Sequence, residues 1–346
     1  MEIRVVQIGS GPRMERVLRQ ALDGMPAGRI PAEPFPDLRD SRVLFAVRLD
    51  DYGPDPELAA FLRRLRQNPG CLSGSVAGIV VDGNSELYTK EAARDLALAA
   101  SMAGCMFPGK ALVEGTGSLF NQHIQAKQRG ISLEETYIQR VRELAAAVLS
   151  FGAPKPENPK LLVLHASDSK RSNTYWMGTE VIRRLSGRMD TELRSLQNGT
   201  IMDCRGCSYR TCLHYAQNNT CYYGGAISEE ILPAVSACSA MLFLCPNYND
   251  SVSANLMAFF NRLTNLLVRE DLSEKYLFGI IVSGYSGGDI VAKQLLGTMS
   301  FNKTSILPPR FCILQTAHEP GSAARIPDIG KKLDGFAEHI QSILLG

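Results

Sequence analysis

The feature that most constrains the fold is the alternation that begins at Lys160. Short, mostly apolar runs (160–166, 191–196, 240–245, 277–283 and 310–316) are each followed by a pattern of helical period (173–185, 228–238, 251–267, 287–298 and 328–345). Strands that read as continuous apolar runs suit a parallel sheet buried on both faces by its crossover helices. Five such units predict a doubly wound α/β domain with strand order 2-1-3-4-5.

The first half of the chain carries the same pattern. Residues 43–65 can be laid on residues 241–263 without a gap. Leu44, Phe45, Leu58, Ala60, Phe61, Arg64 and Leu65 then fall on Leu242, Phe243, Leu256, Ala258, Phe259, Arg262 and Leu263. Gly78–Gly83 matches Gly279–Gly284, and the stretch from Phe107 matches the stretch from Pro308. An ordered series of matches of this kind predicts an internal duplication. The expected domains are a degenerate first copy over 1–151, a proline-rich linker over 152–159 and a second copy over 160–346. Ser132-Leu-Glu-Glu135 predicts a capping box that opens a helix over 132–149. The first copy has only a proline-rich stretch, 26–38, where a second strand is due, and none is expected there.

Composition narrows the function classes. The length of 346 residues suits two ordinary domains, and 45% hydrophobic with 21% charged residues is normal for a soluble globular chain. A net charge of +2 gives no electrostatic footprint for nucleic acid or an anionic membrane. No run approaches the roughly 18 apolar residues of a spanning helix. The start of the chain is strand-like and lacks the features of a signal peptide, so the expected location is the cytoplasm, where thiols stay reduced. Of nine cysteines, Cys71, Cys105, Cys238, Cys245 and Cys312 sit in apolar surroundings and read as buried small hydrophobes. The other four, Cys204, Cys207, Cys212 and Cys221, are spaced C-x2-C-x4-C-x8-C and point to metal, cluster or redox chemistry.

Ligands of an open parallel sheet bind outside the carboxyl ends of its strands. In the second domain the loop after strand one, 166–174, offers Ser167, Ser169, Ser172, Asn173 and Thr174 at a helix N-terminus. Free N–H groups, the positive end of the helix dipole and side-chain donors make that an anion site. The loop after strand three offers Pro246, Asn247, Tyr248 and Asn249, with the Tyr248 ring as a flat face. The loop after strand four offers Ser283, Gly284, Tyr285 and Gly288, whose glycines admit a close ligand. The cysteine segment leaves strand two, so all four loops are expected on one rim.

This ordered set resembles the NADPH-dependent FMN reductase family, flavodoxin-like in fold, and within it the iron–sulfur flavoproteins. The family's phosphate loop is matched by Ser167, Ser172, Asn173 and Thr174; Ala166 and Ser169 depart from the usual Gly and Arg, and Lys170 or Arg171 stands by to supply the charge. Its Pro-x-Tyr-x-x-x-Val-Ser-x-x-Leu-x-x-Phe-x-x-Arg run is met by Pro246, Tyr248, Val252, Ser253, Leu256, Phe259 and Arg262. The resemblance implies an oligomeric FMN oxidoreductase fed by NAD(P)H or another electron carrier, with Asn247, Tyr248, Ser283, Gly284 and Tyr285 flanking the ring. It also implies a [4Fe-4S] cluster on the four cysteines, although the gaps of four and eight are wider than the family's.

Three readings of the cysteines stay open: an iron–sulfur cluster, tetrahedral zinc, or free thiols that shape a pocket. Two further function classes accompany the enzyme. One is a flavin electron-transfer protein without small-molecule turnover. The other is a zinc-knuckle binding module. The first domain has only Gly9–Arg13 in place of the hydroxyl-rich loop, and it is expected to bind no FMN and to pack as a family dimer partner would.

Overall fold

The computed structural model describes residues 2–196, 201–218 and 220–346. The chain divides into two compact units. One runs through Gly152 and includes Leu307–Arg310; the other holds Ala153–Ile306 and Phe311–Gly346.

The elements of the first unit, in chain order, are β1 (Ile3–Ile8), α1 (Pro12–Ala21), β2 (Ala27–Pro31), β3 (Arg42–Asp50), β4 (Gly53–Pro54), α2 (Pro56–Gln67), β5 (Val76–Gly83), α3 (Thr89–Met102), β6 (Leu112–Gly115), α4 (His123–Arg129) and α5 (Leu133–Ser150). Its strands lie in the order β2-β1-β3-β5-β6 and pair in parallel, with short β4 antiparallel on β3. The middle of the sheet is dry on both faces; every residue of β5 is buried. Tyr137, Val141, Leu144, Ala145 and Val148 form the buried stripe of α5 against it. The predicted capping box is present, with Ser132 Oγ accepting from Glu135 N and Ser132 N donating to Glu135 Oε2.

Ala27–Pro31 is a strand, contrary to the sequence expectation. Its glycine and proline carry no strand propensity, so backbone pairing to β1 decides the matter, from Ile3 against Ala27 to Gln7 against Pro31. An edge position tolerates the proline because only one side of the strand is paired.

The second unit contains β7 (Lys160–His165), α6 (Asn173–Leu185), β8 (Asp190–Ser195), α7 (Tyr209–Ala216), α8 (Leu232–Ala237), β9 (Ala240–Pro246), α9 (Ala254–Leu267), β10 (Tyr276–Ser283), α10 (Gly288–Leu296), β11 (Cys312–Thr316) and α11 (Ile329–Leu344). A π-helical turn, Ile227–Ile231, precedes α8, and another, Gly297–Asn302, follows α10. The strand order β11-β10-β9-β7-β8 is the predicted 2-1-3-4-5, all parallel. Phe243, Phe259 and Phe260 pack with centroids 5.5–6.0 Å apart between β9 and α9. On the other face α6 approaches so closely that a Cβ on Gly178 would lie 2.4 Å from Leu244.

The two sheets share their order, and the pairing registers fix how they correspond. β3 and β9 start 198 residues apart, as the sequence alignment has it. The later strands correspond at 200: Ile79 pairs with Leu112 as Gly279 pairs with Cys312. The sequence matches for these strands used 201. Glycines at 78 and 279 drew them one residue out, and a slip of one turns every side chain to the wrong face.

Candidate functional site

The loop after β7 builds one end of a cleft. Asp168 Oδ1 accepts from Lys170 N at 2.9 Å and Asp168 O accepts from Ser172 N at 3.1 Å, which turns the chain into α6. Ser172 is the N-cap; its Oγ accepts from Tyr175 N at 3.1 Å. The N–H groups of the first helical turn have no acceptor within the helix, and the dipole adds positive potential there. Ser167 is 1% exposed, yet its Oγ has no hydrogen-bond partner among the described residues. A buried hydroxyl left without a partner costs roughly 1–3 kcal/mol, so this one is built for something else to meet.

Asn173 lines the cleft and also ties it together. Its Nδ2 donates to Ala317 O (3.3 Å) and Glu319 O (2.8 Å), and its Oδ1 accepts from Ala323 N (3.2 Å). Both ends of the amide are thus engaged in tying α6 to the loop after β11. Asn173 therefore shapes the cleft through contacts at both ends of its amide.

The loop after β9 is a two-residue hairpin. Tyr248 and Ser251 exchange backbone hydrogen bonds, and Asn249 (φ 51) and Asp250 (φ 58) both take the left-handed conformation that such a turn demands and that Asn and Asp accept. Asn247 Nδ2 donates to Asp250 Oδ1 (3.1 Å) and Ser286 O (2.9 Å), joining this hairpin to the loop after β10. Asn247 Oδ1 is buried without a partner among the described residues. Gly287 (φ 80) is required where the two loops meet, because a Cβ would lie 1.9 Å from Asp250 Oδ1. Tyr248 stands half exposed at the lip.

These loops enclose a cleft of about 300 Å³ lined by Ser172, Asn173, Thr174, Pro246, Asn247, Tyr248 and Gly284 among the expected residues. Ser167 and Ser283 lie buried beside it, while Ser169, Asn249 and Tyr285 point to solvent and Gly288 opens α10. Arg171, and not Lys170, lines the cleft. The sequence reading missed Asp168, Val282, Ala317 and His318. His318 Nε2 lies 3.2 Å from Tyr285 Oη, with the rings 4.6 Å apart. Nothing local in the sequence marked His318; only the position of β11 brings it here.

The cysteines are elsewhere, which corrects the expectation of a single rim. Cys204, Cys207, Cys212 and Cys221 line a separate cavity of about 230 Å³ that shares no residue with the cleft. The segment leaves β8 near the rim, where Leu196 O accepts from Asn255 Nδ2 at 2.6 Å, and is then carried along α9. Asn261 Nδ2 donates to Asp203 Oδ1 (2.8 Å), Arg262 Nη2 to Gly224 O (2.8 Å) and Asn265 Nδ2 to Thr220 O (2.9 Å). Asn261 is eight residues beyond the N-cap Ser253, about 12 Å along the helix. The four thiols sense one another: burial and then the charges of Cys204, Cys221 and Cys207 push the Cys212 thiol up. Even so, among the described residues no three His, Cys, Asp or Glu side chains stand close enough to hold a metal ion. As placed, the thiols do not fit a cluster.

The rim of the first unit is closed by its own side chains. Arg13 Nε donates to Asp82 Oδ1 (2.8 Å), Nη1 to Gly117 O (3.0 Å) and Nη2 to Gly83 O (2.6 Å). Asp82 is 2% exposed; burial raises its carboxyl pKa against the opposing pull of Arg13. At the loop after β1, Gly9 N donates to Glu57 Oε2 (3.0 Å), and the same Glu57 lines the adjoining hollow of about 390 Å³. A carboxylate thus already accepts from the backbone of the loop after β1.

No curated protein matches the sequence. Among solved structures, the chain resembles an FMN-dependent NADH-azoreductase from Bacillus anthracis in complex with FMN (12% identity, 52% of this chain and 99% of that one, TM-score 0.38). It also resembles the NAD(P)H:quinone oxidoreductase from Methanothermobacter marburgensis (12%, 53% and 99%, 0.41) and the Trp repressor binding protein from Bacillus subtilis (18%, 51% and 99%, 0.36). Residues 159–319 match the model of the NADPH-dependent FMN reductase family, a span that contains the whole cleft. Over that span, just under half of its length, the chain is similar to the NADPH-dependent FMN reductase family.

Proposed function

We propose that the second unit binds FMN in the cleft between the loops after β7, β9, β10 and β11, and passes electrons from NAD(P)H to a small acceptor. The observation that carries this reading is a pair of buried oxygens without partners among the described residues, Asn247 Oδ1 in the lining of the cleft and Ser167 Oγ in the loop that borders it, both inside the matched span. Those atoms, the α6 N-terminus and the half-exposed Tyr248 ring fit a phosphate at one end and a flat polar ring at the other. FMN supplies the hydride and electron chemistry when bound. Ser172, Thr174 and Arg171 hold the phosphate, Asn173 fixes the loop that closes over it, and Asn247 and the Gly284 loop orient the ring. NAD(P)H binds only transiently, since no dinucleotide-binding G-x-G-x-x-G follows a strand.

The first unit is, in this proposal, a degenerate copy of the second that binds no flavin. Its matching strand order supports the duplication, and the Arg13–Asp82 and Glu57 contacts support the loss of the site. No helix among the described residues is long and apolar enough to cross a membrane, and we place the protein in the cytoplasm, acting on small molecules without nucleic acid, as a homo-oligomer. The iron–sulfur type is not part of the proposal. FMN titration of flavin-free protein, followed by NAD(P)H oxidation with a quinone acceptor, tests the reading. Saturable FMN uptake with turnover is expected. Uptake without turnover would convert the protein to an electron carrier, and no uptake would overturn the proposal.

A further inference from the structure

The cysteine cavity has the chemistry of a ligand site in its own right. Tyr215, Tyr222 and Tyr223 form an edge-to-face ladder along it, with centroids 5.4 and 5.0 Å apart. Tyr209 and Tyr222, both in its lining, are 71% and 64% exposed, unusual for aromatic side chains that a core could have taken. Cys212, with its pKa raised by burial and by the neighbouring cysteines, is a neutral thiol and packs as a small apolar group.

The charge around the cavity is out of balance. Arg262 is 4% exposed and lines it. Its guanidinium donates to Met202 O (3.4 Å), Gly224 O (2.8 Å) and Ser228 Oγ (3.3 Å), all neutral oxygens, and no carboxylate pairs with it among the described residues. Arg205 adds a second guanidinium, stacked 5.2 Å over the Tyr223 ring. The one carboxylate in the lining, Asp203, has its Oδ1 engaged by Cys204 N and Asn261 Nδ2. A buried arginine facing a cavity without a counter-charge favours an anion there, and a planar guanidinium favours a carboxylate most. A dry cavity of roughly 150 Å³ takes benzene, so about 230 Å³ suits one substituted ring.

We propose that this cavity is a second binding site, for a single-ring aromatic carboxylate, recognised by the tyrosine ladder and Arg262 with all four thiols free of metal. It goes beyond the flavin site, and α9 links the two: the helix starts at the rim and carries Asn261, Arg262 and Asn265 at the cavity.

The test uses the FMN-loaded full chain, with 4-hydroxybenzoate as probe and 4-hydroxybenzamide as its neutral isostere. Alkylation of each cysteine by iodoacetamide is followed by peptide mass spectrometry. At ten times its Kd the acid should slow labelling of Cys207, Cys212 and Cys221 about tenfold. Cys71, in the other unit, should be unaffected. The amide should need at least ~10-fold more, for loss of a charge-assisted pair. Arg262→Lys keeps the charge but loses the fork, and should weaken protection by the acid alone. Should that variant misfold, Arg205→Gln, at the cavity mouth, supplies a second reading, with weaker protection expected. Equal protection by acid and amide, no protection at roughly 10 mM, or stoichiometric iron or zinc on the four cysteines would each overturn the proposal. Flavin absorbance in the same samples reports the rim separately, so a failure of the flavin reading would be seen as such.

Discussion

At the carboxyl edge of the first sheet Arg13 lies across Gly83 and Gly117. At the matching edge of the second, 200 residues on, Ser283 and Ala317 border an open cleft. The reaching side chain comes from the same place in both units, the start of the helix after the first strand. In the second it is Asn173, which donates to Ala317 O much as Arg13 donates to Gly117 O. The difference lies in length and charge. Asn173 is short, binds the far loop and leaves room. Arg13 is long enough to fill the crevice and needs the buried Asp82 to balance it. One fold thus holds two states of the same crevice, one satisfied from within and one with polar atoms left for a ligand.

The largest effect should come from breaking the closed crevice. Arg13→Ala leaves Asp82 buried beside the Tyr137 ring without its hydrogen-bonded counter-ion, which should destabilise the first unit by about 3 kcal/mol in guanidinium unfolding at pH 7. The sign with pH follows from Asp82. Its folded pKa is raised, so its contribution is full below the ordinary aspartate range and is lost as pH rises through the folded value. Without Arg13 that value climbs further. The deficit should therefore shrink as pH falls from 7 towards about 4. A deficit that does not vary with pH would contradict the buried-pair account.

Asn173→Ala attacks the open crevice from the opposite side. It removes an amide with bonds at both ends and leaves Ala323 N and Glu319 O without it, at a cost of roughly 2–3 kcal/mol and with weakened FMN binding. Affinity lost at unchanged stability would return Asn173 to the role of direct phosphate ligand. Ser167→Val should separate the two effects that Asn173→Ala couples. Stability should hold or rise, because a partnerless hydroxyl is removed, while FMN affinity falls about tenfold. The smallest effect expected is that of Ser172→Ala, about 1 kcal/mol from the lost N-cap.

Much of the fold was legible because continuous apolar strands and helical periodicity leave few alternatives. The helix over 173–185 was read at its observed bounds, and the strand order of the second sheet as observed. What escaped was whatever depends on partners distant in sequence. β2 is held by pairing rather than propensity, and the register of β5 and β6 is set by the sheet rather than by glycine pattern. Arg13 meets Asp82 across 69 residues, and Asn173 meets the 317–323 loop across about 150. The cysteine segment was rightly placed after β8, but its path along α9 is fixed by Asn261, Arg262 and Asn265, whose inward faces carry no signature in the sequence.

The most direct measurement is the number of FMN bound per chain, by equilibrium titration of flavin-free protein followed through flavin fluorescence, for the native chain and for Ser167→Val. The account predicts one FMN per chain, with the variant binding the same single equivalent about tenfold more weakly. Two equivalents per chain, or one equivalent with unchanged affinity in the variant, would contradict it.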